Sequence, residues 1–327
     1  MLRPSRFGLG AALVAALALA PTARAAEPDK LIPADADTVV SINVKQLVDS
    51  EIVKKYAVEQ IKQTLEGQDI RKYLRDMGLD PLKDIDRVVI AGSGKDQNDI
   101  KGIVVVRGKF DPEKLYKTAE AETKRKPDQF ALVKDGKDVM FKWQPDNGNP
   151  VYGTVVDEST VIFGTDKKII TNALAAANGD KKPTINRQLA SMITKMDDKA
   201  SVWAVAIVKG KLDNAKLPGG GGAQNLQAQI PNLETVTAVI RVTGDINLEV
   251  TLGMKDEASA DEMGKAVDEV LVQVKGFAPL LAANDPKMKP LAEAAKSLKS
   301  TVKDRNIIIS AKVPGSAIGQ LLNPDGE

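Results

Sequence analysis

Apolar and polar residues alternate along several short segments of the chain, as they do in β-strands with one buried face. Large apolar residues occupy every second position in residues 40–44 and again in residues 203–207. The clearest example is residues 236–254, where two alternating runs flank a tight Gly-Asp turn. Residues 88–91 and 103–106 are unbroken apolar runs on either side of a longer, glycine-containing tip. These patterns predict antiparallel hairpins rather than parallel strands joined by helices.

Helices are indicated by apolar residues that recur at every third or fourth position and by capping residues in front of them. Asp49 or Ser50 can begin the first helix, and Asp111, followed by proline and glutamate, predicts a second helix start. Residues 259–262, Ser-Ala-Asp-Glu, have the form of a capping box before a long amphipathic helix. We expect Pro279, Pro286 and Pro290 to bend or break this segment before a helix continues from Leu291 to about Val302.

The two halves of the chain have the same order of elements: strand, helix, hairpin, capped helix, strand and short helix. They differ in extra strands over residues 138–164 and in a Gly-rich loop at residues 218–222. We therefore predict an α+β fold of two related domains, each a mainly antiparallel sheet covered by helices, that arose by internal duplication. The predicted domains are residues 38–182 and 183–327, after a polar lead-in over residues 26–37. The pattern leaves open whether the two sheets join into one.

The first 25 residues have the order of a secretory signal peptide. Arg3 and Arg6 precede an uncharged run rich in alanine and leucine, and the small-residue pattern Ala23-Arg24-Ala25 follows. The apolar run is too short to cross a bilayer, which takes about 20 apolar residues. We therefore predict cleavage after Ala25 and release of a soluble periplasmic or secreted protein, with no membrane span once the signal is removed.

The charge of the mature chain is nearly balanced. Removal of residues 1–25 takes away three arginines and no acid, which changes the net charge from +2 to about −1. Nucleic-acid binding depends on a concentrated basic surface, so a nucleic acid is not expected as a partner. The one basic run, residues 124–126, is expected at the C-terminal end of a helix, where cations meet the negative end of the helix dipole.

The sequence contains neither cysteine nor histidine. This composition excludes disulfides, zinc sites built on either residue, cysteine nucleophiles and catalytic triads that use a histidine. Carboxylate, lysine, serine or tyrosine chemistry remains, and so does a calcium site made only of oxygen ligands. Because no segment has the ligand spacing of a calcium loop, we expect neither a cofactor nor a metal site.

Two kinds of catalytic motif have partial matches in the chain. Residues 92–96, Gly-Ser-Gly-Lys-Asp, look like part of a phosphate-binding loop, but a strand follows them where that motif needs a helix N-terminus. We interpret them as a hairpin tip. Four pairs of neighbouring acids are candidates for hydrolase carboxylates, although each lies in a predicted turn or helix flank. They are Asp35 and Asp37, Asp84 and Asp86, Asp157 and Glu158, and Asp197 and Asp198.

The two tryptophans have different expected places. Trp203 lies inside a predicted strand and is expected in the core. Trp143 stands beside a turn, where an aromatic ring can stack on a carbohydrate or a peptide. Trp143 is therefore the candidate ligand-binding residue.

Residues 31–44, LIPADADTVVSINV, resemble the opening of a diffuse family of exported bacterial proteins, many of them from planctomycetes. In that family a Pro-Ala-Asp lead-in precedes a strand that feeds a helix. The resemblance implies the fold and a location outside the cytoplasm. It brings no activity, ligand or catalytic residue.

These observations favour a non-catalytic binding or interaction module of the cell envelope. Its expected partner is an envelope protein, a peptide or a polysaccharide. The alternative is a carboxylate-dependent hydrolase that acts on envelope polymers.

Overall fold

The structure is a computed structural model that describes residues 25–94, 101–136, 138–182, 184–213, 222–285 and 288–322. Most of the predicted signal peptide, residues 1–24, lies outside the described residues. The same holds for residues 214–221, which include most of the predicted Gly-rich loop, and for residues 95–100 at the predicted hairpin tip.

The described strands form one twelve-stranded sheet in which every pair of neighbours is antiparallel. Its spatial order is β11-β12-β10-β9-β8-β1-β2-β3-β7-β6-β5-β4. The strands are β1 Thr38–Asn43, β2 Ile85–Ser93, β3 Lys101–Gly108, β4 Phe130–Asp135, β5 Asp138–Trp143, β6 Val151–Asp157, β7 Thr160–Gly164, β8 Val202–Ile207, β9 Leu233–Val242, β10 Asp245–Met254, β11 Lys299–Lys303 and β12 Asn306–Pro314.

Helices of the described ranges lie in five of the eleven connections between consecutive strands and pack on both faces of the sheet. They are α1 Val44–Asp49, α2 Val58–Leu65, α3 Gln68–Met77, α4 Pro81–Asp84, α5 Pro112–Arg125, α6 Lys167–Ala177, α7 Arg187–Ile193, α8 Gly222–Gln229, α9 Glu257–Asn284, α10 Lys289–Ser297 and α11 Gly315–Leu322. A π-helical turn, Val53–Ala57, precedes α2, and a 3₁₀ turn, Ile230–Asn232, precedes β9. The prediction of an α+β fold with an antiparallel sheet and helices is thereby confirmed.

Local signals in the sequence explain several boundaries. The hairpins β2–β3 and β9–β10 form where the apolar runs and the Gly-Asp turn predicted them. Asp111 caps α5 as expected, because its carboxylate accepts a hydrogen bond from the Lys114 backbone N–H at 3.1 Å. The Ser50 hydroxyl accepts a hydrogen bond from the Val53 backbone N–H at 3.3 Å, at the start of the next helical stretch.

Helix α9 differs from the expectation in two ways. Its first turn is capped by Asp256, whose carboxylate accepts the Ser259 backbone N–H at 2.7 Å, so the helix begins before the predicted capping box. It also continues through Pro279 to Asn284, so the helical segment is interrupted not at Pro279 but between Asn284 and Lys289, where α10 begins. A proline removes one backbone hydrogen bond, but a helix that is already formed can resume on its far side.

The strand pair β1 and β8, which we call the seam, joins the two halves of the chain in one sheet. Val40 and Ala204 lie opposite each other at the seam. From there the order runs outward as β2, β3, β7 and β6 on one side and as β9, β10, β12 and β11 on the other. The sheet is therefore continuous across the boundary predicted between residues 182 and 183.

The two faces of the sheet carry separate cores. The larger core includes Val105, Ile162 and Trp203, which are buried against α6, α7 and the lead-in. The smaller core lies on the opposite face in the second half, where Ile307 of β12 packs with Met263 of α9. Successive side chains of a strand point to opposite faces, so apolar residues in consecutive positions can serve both cores.

A buried carboxylate links α3 to α5. Glu122 is 6% exposed and accepts hydrogen bonds from Arg125 at 2.6 Å and from the Tyr73 hydroxyl at 3.0 Å. Arg125 also donates to the Tyr73 hydroxyl. The Arg125 guanidinium lowers the pKa of Glu122, against the opposing effect of burial and with a further lowering from Tyr73. The ionised form of Glu122 is therefore favoured in the folded protein.

The lowered pKa of Glu122 predicts a pH-dependent contribution to stability. This contribution is fully present above the ordinary pKa of a glutamate and is lost as the pH falls through the lowered pKa of the folded state. We expect the difference in unfolding free energy between the wild type and Glu122→Gln to be largest near pH 7 and to shrink towards about pH 3. Urea unfolding at several pH values measures it. A difference that does not change with pH would contradict the assignment.

Candidate functional site

A row of apolar side chains crosses the sheet on the face opposite the larger core. The strand register places Phe163, Val104, Ile90 and Val40 side by side on four neighbouring strands, and Ala204 follows beyond the seam. Each of these residues alternates along its strand with residues of the larger core. The central strands are therefore apolar on both faces, a pattern typical of sheets covered on both sides.

Among the described residues, helices cover the ends of this row and leave its middle open. At one end, Tyr116 of α5 packs on Phe141 of β5, with ring centroids 5.2 Å apart. At the other end, Ile309 of β12 packs against the smaller core that includes α9. Between them Ile90 is 42% exposed and Phe163 is 37% exposed. Large apolar residues on central strands are usually buried, so this exposure marks a surface that a ligand can use.

The open part of the row forms the floor of a concave site, which we call the sheet-face groove. It is lined by Val40, Ile90, Val104, Phe163 and Ile207, among other residues, and has a volume of about 640 Å³. This volume lies within the range of about 300–1,000 Å³ that is usual for small-molecule sites. Such sites are mainly apolar with a few polar groups at their edges, and the groove has that composition.

Gly153 of β6 determines how the Phe163 ring lies in the floor. The two residues are paired across β6 and β7. A Cβ atom on Gly153 would lie only 2.7 Å from Cδ1 of Phe163, so any larger residue would displace the ring. The glycine therefore lets the aromatic ring lie against the neighbouring strand.

Polar groups at the rim of the groove are paired with one another. Lys211 forms an ion pair with Asp37 and also lies 3.4 Å from the Gly94 carbonyl oxygen. The Thr38 hydroxyl donates to the other carboxylate oxygen of Asp37 at 3.0 Å. These contacts hold the N-terminal end of β1 to the segment after β8. They also leave the floor, rather than the rim, as the surface available to a ligand.

Trp143 lies on the same face as the groove but outside it. It is 44% exposed, pairs with Val151 at the groove edge and stacks on Phe130 with ring centroids 6.5 Å apart. The apolar surface thus extends from the groove towards strands β5 and β4. A role for Trp143 in ligand binding remains a prediction. Trp203 is 4% exposed, which confirms its expected place in the core.

Five of the eight carboxylates proposed for a hydrolase, those of Asp37, Asp84, Asp157, Asp197 and Asp198, have structural partners in the described residues. Asp84 accepts the Asp80 backbone N–H at 2.6 Å, Asp197 pairs with Arg241 at 3.2 Å and Asp198 pairs with Arg87 at 2.8 Å. Burial alone would raise the pKa of Asp157, but hydrogen bonds from Ser159 outweigh it and the pKa is lowered.

A general acid needs the opposite shift, a raised carboxyl pKa. Every carboxyl group of the described residues whose pKa is shifted has it lowered; these groups are Asp76, Asp80, Asp111, Glu122, Asp157, Asp245 and Asp256. This pattern does not favour carboxylate-dependent hydrolysis.

A second, polar cavity of about 460 Å³ lies beside the lead-in, on the face of the larger core. In it Arg87 pairs with Asp198, and Arg107 pairs with Asp29 at 2.7 Å. The two arginines and two aspartates balance in charge. They fasten the lead-in and the loop before β8 to the sheet. The lead-in also contributes apolar residues to the larger core, including Leu31.

The residues of the groove floor were not identified from the sequence. The signal for them was the pair of unbroken apolar runs at residues 88–91 and 103–106, which indicated two apolar faces. In β1 the alternation selected Val40 as a buried position, whereas Val39 and Ser41 are the residues buried on the larger core and Val40 lies in the groove floor. Only the register between strands brings Val40 next to Ile90.

No protein-family model matches the chain, and neither a curated protein nor a solved structure is significantly similar to it. Within the described ranges, no helix has the length and apolar character needed to cross a bilayer. The same part of the chain contains no cluster of three or more acidic side chains arranged to hold a metal ion. The chemistry of the groove is therefore the main indication of function.

Proposed function

We propose that the protein is a non-catalytic binding protein of the cell envelope that holds one apolar chain, such as the acyl chain of a lipid, in the sheet-face groove. The observation that carries this proposal is the open apolar floor between α5 and α9, with a volume of about 640 Å³. Burial of apolar area would supply the affinity, at roughly 25 cal/mol for each Å² removed from water.

The floor suits an apolar chain better than a polysaccharide. Sugar recognition needs hydrogen-bonding side chains together with a stacking ring. The floor residues Val40, Ile90 and Val104 have no hydrogen-bonding side chain, and the rim groups Asp37 and Lys211 bind each other. A peptide would suit the groove only if its apolar side chains made the contacts with the floor. The hydrolase alternative has no supporting observation among the described residues.

Export is part of the proposal and rests on the sequence of the first 25 residues. One contact agrees with cleavage after Ala25. The Ala26 backbone N–H donates to the Met196 carbonyl oxygen at 2.9 Å, and Ala26 is 2% exposed. The first residue of the proposed mature chain would therefore be fixed to the folded body. Membership of the exported family that residues 31–44 resemble is likewise a proposal.

Internal duplication is also proposed, and the strand order supports it. Counting outward from the seam, β1, β2, β3, β7 and β6 correspond to β8, β9, β10, β12 and β11. A helix follows β3 and a longer one follows β10, at equivalent places. On this view the additions to the first half are β4 and β5, rather than all the strands of residues 138–164, because β6 and β7 correspond to β11 and β12.

The groove predicts the effect of a charge placed in its floor. We expect Ile90→Glu to weaken binding of a fluorescent long-chain fatty acid by about tenfold or more, because the carboxylate would lose its water on contact with the chain. A fluorescence titration measures the dissociation constant. Ile70→Glu is the matched control, since Ile70 of α3 is 43% exposed against 42% for Ile90 and does not line the groove. Equal affinities for the two variants, or no binding by the wild type, would refute the proposal.

A further inference from the structure

The second half of α9 has an exposed apolar surface that the groove does not involve. Val272 is 70% exposed, Phe277 63% and Leu280 60%, with Val274 at 41%. Leu291 of α10, which packs beside α9, is 46% exposed. We call these five residues the apolar tip. The side chains of Met263 and Val267, in the first half of the same helix, are buried in the smaller core.

The apolar tip extends around α9 rather than along one stripe. Each residue of an α-helix is rotated by roughly 100° from the one before it. Val272, Leu280, Phe277 and Val274 therefore lie at roughly 0°, 80°, 140° and 200° around the helix axis. A helix that docks on one protein surface needs an apolar stripe only about 100° wide. The wider distribution fits a fluid apolar medium that can surround the helix.

Charge is distributed in a way that fits an anionic surface. Between Glu269 and Asp285, α9 contains one charged residue, the exposed Lys275. Lys289, at the start of α10, is also exposed. Glu293 on α10 is paired with Lys296 at 2.5 Å. Lysines beside an apolar helix surface are attracted to the negative headgroups of anionic lipids.

The exposed apolar segment of α9 is too short to cross a bilayer, but it is long enough to lie in the bilayer surface. Residues 270–284 would span roughly 22 Å as a helix, less than the roughly 30 Å of a hydrocarbon core. An apolar notch of about 400 Å³ between α9 and α10, lined by Val274, Phe277 and Leu291, adds apolar surface at the same place. We propose that the apolar tip inserts into the surface of an anionic lipid bilayer and holds the protein there as a peripheral membrane protein.

This inference does not rest on the proposed ligand of the groove, because it uses residues of α9 and α10 only. It goes beyond binding of a single apolar chain and assigns a partner to a second surface. If both proposals hold, the protein binds its ligand while it is attached to the layer that contains lipids.

Flotation with vesicles tests the proposal, using the chain without residues 1–25. One vesicle population contains phosphatidylcholine alone, and the other contains phosphatidylglycerol in addition. We expect the wild type to float with the anionic vesicles, and Phe277→Ser combined with Leu280→Ser to reduce the bound fraction by about tenfold or more. Lys275→Glu is expected to weaken binding to the anionic vesicles only.

Three controls test whether the apolar tip itself is responsible for flotation. Ile70→Ser changes an apolar residue of similar character outside the tip and should float as the wild type does. Ile90→Glu should also float normally, so failure of the groove and failure of the tip can be distinguished. Melting curves check that each variant is folded. In a further variant, Phe277→Trp, the emission of the new indole should shift to shorter wavelength when anionic vesicles are added.

The outcomes that overturn the proposal are specific. If the wild type floats with neither vesicle population, the tip does not bind lipid. If the Phe277→Ser and Leu280→Ser double variant floats as well as the wild type, another surface is responsible. If the wild type is a dimer in light scattering that becomes a monomer in the double variant, while flotation is absent, the tip binds a second copy of the chain instead.

Discussion

Trp203→Ala is expected to lower the free energy of unfolding by about 3–5 kcal/mol, in the range measured for large aromatic residues in protein cores. Trp203 lies in β8 at the seam, opposite Ser41 of β1 and Val239 of β9, and is 4% exposed. Its loss would leave a cavity where the two halves of the sheet meet. Urea unfolding followed by circular dichroism measures the change.

Trp203→Phe is the informative comparison for this prediction. The indole Nε1 of Trp203 is buried and has no hydrogen-bond partner among the described residues. Replacement by phenylalanine therefore removes an uncompensated polar group together with some apolar volume, and we expect a cost below about 1.5 kcal/mol. If phenylalanine is as destabilising as alanine, the indole N–H has a bound partner, and the polar cavity beside it is the place to search.

Gly108→Ala is expected to destabilise the protein by about 3 kcal/mol, at the upper end for overpacking substitutions. Gly108 ends β3, and its backbone N–H donates to the Ser159 carbonyl oxygen at 3.0 Å. A Cβ atom there would overlap the Asp84 carbonyl oxygen and lie 3.1 Å from the Ile85 Cα atom. These neighbours are backbone atoms at the start of β2, so the strands themselves would have to separate.

Gly276→Ala is the control for the glycine prediction. Apart from the adjacent backbone of α9 itself, no atom of the described residues lies within 4 Å of a Cβ placed on Gly276, which is in the second half of that helix. Alanine is the better helix former, so this change should stabilise the protein by about 0.5–1 kcal/mol. Both variants add one methyl group. Equal melting temperatures for Gly108→Ala and the wild type would show that the β2–β3 backbone is more adaptable than its contacts indicate.

Local sequence signals were sufficient to predict the class of fold. Alternation predicted the hairpins, and Asp111 with its following proline predicted the start of α5 because caps depend on a few neighbouring residues. The cap of α9 was misplaced because Asp256 and Ser259 are both good capping residues, and the choice depends on how β10 ends. The sequence did not show at which proline the helix would be interrupted, because the local cost of a proline does not decide whether the helix resumes beyond it.

The candidate site was much less accessible from sequence. The groove floor combines residues from β1, β2, β3 and β7, whose positions relative to each other depend on strand register. No local pattern in the sequence indicates which part of that face the helices leave exposed. Trp143 was the candidate from the sequence because an aromatic residue beside a predicted turn can be recognised without the structure. The structure places it next to the groove, at the edge that Val151 provides.

The seam also has a consequence for the order in which the protein can fold. β1 pairs on one side with β2, from the same half, and on the other with β8, about 160 positions later in the chain. If the chain is exported as proposed, with its N-terminus first, β1 can pair with β2 but its other edge stays unpaired until residues 202–207 have also arrived. Exposed apolar edges promote association between incomplete chains. For the proposed exported protein, the distance in sequence between the two seam strands therefore favours completion of the sheet only after translocation has ended.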